Sequence, residues 1–109
     1  MKTIKSSSEI SNIFSNGTKH STPSVVFIVL KRSDRTSKSS GRVAFIAGKK
    51  LGCAVWRNGA KRRLREICNK MDDQFYGLDV VLVAKHNILD RDFWKIVDEC
   101  KRVKVKFYR

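Results

Sequence analysis

A protein that cleaves a phosphodiester bond with its own side chains needs metal-binding carboxylates or a histidine pair for acid–base work. Neither is visible in these 109 residues. His20 and His86 are the only histidines, both in predicted loops, and Asp72, Asp73, Asp90 and Asp92 read more simply as helix-end residues. Cys53, Cys68 and Cys100 are odd in number and widely spaced, with neither a disulfide framework nor a zinc-ligand spacing. The sequence therefore predicts no catalytic side chain and no metal site. Three unpaired thiols suit a reducing cytosol, and Cys68 and Cys100 fall on apolar helix faces, where thiols pack as small hydrophobes.

The chemistry the chain does offer is cationic. Its 24 Lys and Arg outnumber 10 Asp and Glu, for a net charge of +14. Such an excess repels itself until a polyanion neutralises it. The cations are also concentrated. No acid lies between Asp34 and Glu66, while Arg35, Lys38, Arg42, Lys49, Lys50, Arg57, Lys61, Arg62, Arg63 and Arg65 all do. Ordinary solvated surfaces intersperse both signs. At about 100° per residue, Asn58, Lys61, Arg62 and Arg65 project within roughly a quarter-turn of one another, and Arg57 stands at the predicted helix start, where the helix dipole also favours an anion. Arginine's planar fork suits phosphate. The expected partner is thus a nucleic acid. An anionic membrane would call for an amphipathic helix with exposed bulky apolar residues, and none is evident; nor is there an apolar run of signal-peptide or membrane-spanning length.

The elements that must position these residues follow from periodicity. Ser6-x-x-Glu9 reads as a capping box opening a helix with Ile10, Ile13 and Phe14 on one face, stopped at Asn16-Gly17. Residues 25–30 and 42–47 read as strands, and the polar stretch 33–41 as a loop between neighbouring strands, a hairpin. A helix is predicted from about Arg57 to Asp73, with Ala60, Leu64, Ile67, Cys68, Met71 and Phe75 buried. Residues 79–84 form the last strong strand, and Asp90 caps a final helix carrying Phe93, Ile96, Val97, Cys100, Val103 and Phe107. This is one α/β (α+β) two-layer sandwich over residues 1–109: a mixed sheet of about four strands packed with helices, in the order α-β-β-β-α-β-α.

The segment Lys49-Lys-Leu-Gly-Cys-Ala-Val-Trp-Arg-Asn-Gly-Ala-Lys-Arg-Arg-Leu-Arg65 resembles the signature of the bacterial ribonuclease P protein subunit, Lys-Lys-x-Gly-Asn-Ala-Val-x-Arg-Asn-Arg-x-Lys-Arg-x-x-Arg. Lys49, Lys50, Gly52, Ala54, Val55, Arg57, Asn58, Lys61, Arg62 and Arg65 match; Cys53 stands where the family has Asn, and Gly59 where it has a second Arg. The resemblance extends to Phe14-x-x-Gly-Thr18 and to the length and order of elements. It implies a cytoplasmic ribonucleoprotein, one protein per catalytic RNA, that removes the 5′ leader of precursor tRNA. In that family the RNA and its bound Mg2+ carry the chemistry. It implies a left-handed β-α-β crossover through the basic helix, against the usual right-handed preference. It assigns Lys49, Lys50, Arg57, Asn58, Lys61, Arg62 and Arg65 to the catalytic RNA. It also assigns Ile10, Phe14, Phe27 and Ile28 to a cleft for the single-stranded leader, with a plain core role equally open for Phe14 and favoured for Phe27. Without the signature, the composition would also suit another structured-RNA binder such as a ribosomal protein.

Overall fold

The computed structural model describes residues 2–32 and 40–108. In chain order these form β1 (Lys2–Thr3), α1 (Ser7–Asn16), β2 (Thr18–Ser21), β3 (Val25–Lys31), β4 (Arg42–Ile46), α2 (Ala54–Lys70), β5 (Leu78–Ala84) and α3 (Phe93–Lys104), with short 3-10 turns at Lys49–Leu51 and Val105–Tyr108. The strands make one five-stranded mixed sheet in the order β1-β4-β5-β3-β2. Apart from the two-residue β1, the element order matches the one read from the sequence.

The hairpin does not form. β3 and β4 flank β5 on opposite sides, β3 antiparallel to it and β4 parallel to it. The reason lies in β5, six of whose seven residues are buried. A strand apolar on both faces needs a hydrogen-bonded neighbour on each edge as well as cover above and below. α2 supplies the crossover between the parallel pair β4 and β5. Residues 33–39, the body of the expected hairpin loop, lie outside the described residues.

Strand residues alternate between two cores, as the period of two requires. Val25, Phe27, Val29, Val43, Val80 and Leu82 point towards α2 and α3, where Leu64, Ile67, Met71, Ile96 and Cys100 meet them. Ile28, Ala44 and Val81 point the other way, against Ile13 of α1. Helices therefore cover both faces, and α1 adds a partial third layer to the sandwich expected. It is ten residues long and leaves much of its face open.

Helix ends differ from expectation by a few residues. Half of the α1 capping box is present: Ser6 Oγ accepts from the Glu9 N–H at 3.4 Å, but the Glu9 carboxylate goes to Arg42 instead, at 2.6 Å. α1 stops at Gly17, where an added Cβ would lie 2.6 Å from the Ile13 carbonyl and 2.9 Å from Ile28 Cγ2. α2 begins at Ala54, three residues before Arg57, and α3 is capped by Asp92, not Asp90, its carboxylate accepting from the Lys95 N–H at 3.1 Å. His20, expected in a loop, lies in β2.

Candidate nucleic-acid interface

α2 is held by one stripe and displays another. Ala60, Leu64, Ile67 and Met71 are fully buried, Cys68 nearly so, each large apolar side chain contributing about 1.5–3 kcal/mol. At about 100° per residue, Arg57, Lys61, Arg65, Asn58 and Arg62 follow in that order round the helix away from this stripe. Burial agrees: Arg57 and Lys61 are half-buried, whereas Asn58, Arg62 and Arg65 are exposed. Lys49 and Lys50 continue the surface from the exposed 3-10 turn before α2. The structure thus brings together the whole set assigned to the catalytic RNA by resemblance.

No carboxylate meets it. Among the described residues the ion pairs are Arg42–Glu9, Arg42–Asp79, Arg91–Glu99 and Lys104–Asp73, and none involves these side chains. The ridge is also stiffened from beneath. The Arg65 guanidinium lies over the Phe45 ring at 5.6 Å, a cation–π contact. Arg57 Nε is buried without a hydrogen-bond partner, as is that of Arg63 off the ridge.

Two cations of the acid-free stretch are not part of this surface. Arg42 pairs with Asp79, donating from Nε at 3.0 Å and from a terminal nitrogen at 2.8 Å. Arg63 turns the other way, over Phe93 at 5.3 Å and donating to the Arg91 carbonyl at 2.8 Å. Gly59 also lies off the ridge, where a Cβ would meet Leu89 Cδ1 at 3.5 Å. The cation missing at Gly59 is therefore missing from the flank facing Leu89. Cys53 is the N-cap of α2, without a side-chain capping hydrogen bond. The N–H groups of Trp56 and Val55, with the Arg57 charge, hold its thiol pKa below the ordinary value. Trp56 is half-buried against the core, with Gly52 so close that a Cβ there would lie 2.9 Å from the indole.

The second expected surface is only partly as foreseen. Phe27 is 0% exposed and points into the core under α2 and α3, stacked near Phe107 at 5.2 Å. It lies on the face opposite α1 and presents nothing to a ligand. Ile28 is on the correct face but is sealed beneath α1 at 1% exposure. Ile10 is half-buried and Phe14 is 39% exposed. α1 crosses the row Ile28–Val81–Ala44 and leaves the adjoining row Val26–Val83–Ile46 half-buried. Its Glu9, Asn12 and Asn16 flank faces Arg42 and Asp79, so Ile10 and Phe14 lie on the flank away from them. Ile10, Phe14 and this strip leave an incompletely buried apolar surface beside α1, termed the trough. Val26, Val83 and Ile46 escaped the sequence reading; the strict alternation of β3 would have separated Val26 from Phe27.

No group of three or more His, Cys, Asp or Glu among the described residues could hold a metal ion. No described helix is long and apolar enough to cross a membrane.

A mixed sheet with helices on both faces, one helix bearing a cationic ridge that no carboxylate pairs among the described residues, defines a small basic α+β domain. The comparisons narrow the class. The sequence model of the family described as Ribonuclease P matches residues 1–108, and the chain belongs to that family. It is 32% identical over 101 residues to the ribonuclease P protein component of Gluconacetobacter diazotrophicus, covering 91% of this chain and 84% of that one. It is 33% identical over 112 residues to that of Fusobacterium nucleatum, covering 94% of both. The Staphylococcus aureus RNase P protein superposes with a TM-score of 0.77 at 22% identity, covering 100% of this chain and 96% of the other. That of Thermotoga maritima does so at 0.70 and 21%, covering 94% and 98%. These two likenesses show the fold.

Proposed function

We propose that this chain is the protein component of a ribonuclease P holoenzyme. It binds the catalytic RNA through Lys49, Lys50 and the α2 ridge, one protein per RNA, and holds the 5′ leader of precursor tRNA along Phe14, Ile10 and the Val26–Val83–Ile46 strip. The RNA performs the endonucleolytic cut with Mg2+ that it binds itself, so the protein supplies charge neutralisation and substrate contact. The observation that carries this reading is the ridge: five polar and cationic side chains on one helix flank, none matched by a carboxylate among the described residues.

The physical consequence is direct. Cations that replace counterions on crowded phosphates lower the magnesium needed to fold the RNA. Reconstitution with the same organism's catalytic RNA tests it. Precursor tRNA should be cleaved at low magnesium only when the protein is present, and purified protein alone should cleave nothing. Replacing Arg62 or Arg65 with Ala should lower the slope of log affinity against log salt by about 1 per lost phosphate contact. An unchanged slope in both variants would remove the ridge from the interface. Co-purification with whole ribosomal subunits, in place of one large RNA, would overturn the assignment.

A further inference from the structure

Beyond the ridge and the trough, the molecule carries a second cationic surface. The sequence has no acid after Glu99, while Lys101, Arg102, Lys104, Lys106 and Arg109 follow it. Lys104 is consumed internally, its Nζ donating to the Met71 carbonyl at 2.7 Å. Arg102 and Lys106 are exposed and form no ion pair among the described residues.

These two side chains line a groove round the free edge of the sheet. A recess of about 600 Å³ is bounded by Asn16, Thr18, His20, Lys31, Lys106 and Phe107. It shares Lys106 with a second, of about 340 Å³, that runs past Ser21 and Pro23 to Glu99 and Arg102. At its other end it shares Asn16, Leu30 and Lys31 with a third, of about 440 Å³, that reaches Arg42 and Asp79. His20, its ring centroid 5.0 Å from that of Phe107, contributes to the wall. β2 is an edge strand, paired only with β3, and its outward backbone groups face solvent.

Among the described residues two carboxylates line this path, and both are already neutralised. Arg42 holds Asp79 through two hydrogen bonds of 3.0 and 2.8 Å. Arg91 holds Glu99 through two of 2.7 and 2.8 Å. The groove is therefore polar, elongated and net positive, with hydroxyls of Thr18 and Ser21 between its cations. An elongated anion fits that description better than a compact one. β2 spans about 13 Å at ~3.3 Å per residue, the length of a short stretch of sugar–phosphate backbone.

We propose that the groove along β2 and the α3 C-terminus binds a ribose-phosphate strand, as an RNA contact separate from the α2 ridge. Its β2 and α3 end lies three strands away from β4, whose Phe45 ring Arg65 covers, so the Lys106–Arg102 stretch and the ridge are distinct surfaces. The inference does not depend on the ridge being correctly assigned.

The test uses the full-length chain with Arg102→Glu, Lys106→Glu and the double variant. Lys101→Glu, on the other flank of α3 and outside the groove, serves as a charge-matched control. Salt-dependent affinity is measured in two arms, one with the catalytic RNA and one with a precursor tRNA bearing a long leader. The salt slope should fall by about 0.7 per lost single-strand contact in whichever arm supplies the strand, and the control should not change it. The loss should add to that of Arg65→Ala. Groove variants that match the control in both arms would overturn the proposal, as would a combined variant no weaker than Arg65→Ala alone. Urea midpoints close to wild type would establish that these exposed substitutions leave the fold intact. An effect of Arg62 or Arg65 with none from the groove would leave the proposed function standing while sinking this inference.

Discussion

At the scale of single residues, the ridge owes its usefulness to orientation as much as to charge. Arg65 is exposed, yet the Phe45 ring beneath it limits where the guanidinium swings. Phe45→Leu keeps the buried volume near its original size and removes the ring. It should weaken RNA binding by about 0.5–1 kcal/mol while leaving the salt slope untouched, because the charge stays. Arg65→Ala should change both, and parallel salt titrations separate the two effects. The three thiols differ as sharply. Burial, with the nearby Asp73 charge, raises Cys68 to about 11; burial, with the nearby Glu99 charge, raises Cys100 to about 12. Cys53 is exposed and lowered by helix-terminal N–H groups and Arg57. Since the thiolate is the reacting form, iodoacetamide at pH 7.5 should label Cys53 alone in the folded protein. Mass spectrometry of the peptides reads this out, and equal labelling of all three would mean that the core around α2 and α3 opens readily.

At the scale of elements, α1 and α2 fail in different ways. α1 is moored by Arg42, which bridges Glu9 and the buried Asp79. Removing Asp79 as Asn leaves a half-buried guanidinium with one weaker acceptor. The cost of breaking a buried pair is several kcal/mol, reduced here by the partial exposure of Arg42 to about 1–3 kcal/mol. Glu9→Gln, at the exposed end of the same chain, should cost under about 1 kcal/mol yet loosen α1 over the trough, so leader affinity should fall more than the urea midpoint does. In α2 the weak point is Gly59, which disfavours a helix interior by about 1 kcal/mol relative to Ala. A Cβ there meets only Leu89 at ordinary contact distance. Gly59→Ala should therefore raise stability by about 0.5–1 kcal/mol without moving the salt slope, because the position lies off the ridge.

At the scale of the whole molecule, what was legible in the sequence was what lies within one contiguous segment. The ridge could be read because helical spacing and the absence of acids are both local to residues 49–65. Strand order could not, since β5 enters between β3 and β4 through contacts that span the α2 crossover. β1 was missed and β2 was counted in the order without being located, because Lys2–Thr3 and Thr18–Ser21 are short, polar edge strands with no apolar pattern to betray them. Phe27, carried over to the cleft by position, went to the core that its own reading favoured, whereas alternation along β3 shows that two faces exist without saying which helix covers each.

Net charge, by contrast, is a property of the whole chain, and it makes a prediction about the free protein. A charge of +14 on a body with a radius of gyration of 13.2 Å opposes compaction, and α2 concentrates that opposition. Lys61 stands four residues from both Arg57 and Arg65, and each such like-charge pair destabilises a helix by a few tenths of a kcal/mol. Lys61→Gln removes both pairs while keeping a good helix former. Free protein should gain about 0.5 kcal/mol at low salt and little in 1 M salt, where screening acts over about 3 Å. The same variant should bind RNA more weakly, because the repulsion it relieves is what bound phosphate would otherwise reverse. Urea unfolding at the two salt concentrations, set beside RNA titration, measures both sides. A gain that persists undiminished at high salt would trace it to propensity or packing and not to charge; a gain at low salt without loss of RNA affinity would mean that α2 carries its cations for some purpose other than phosphate.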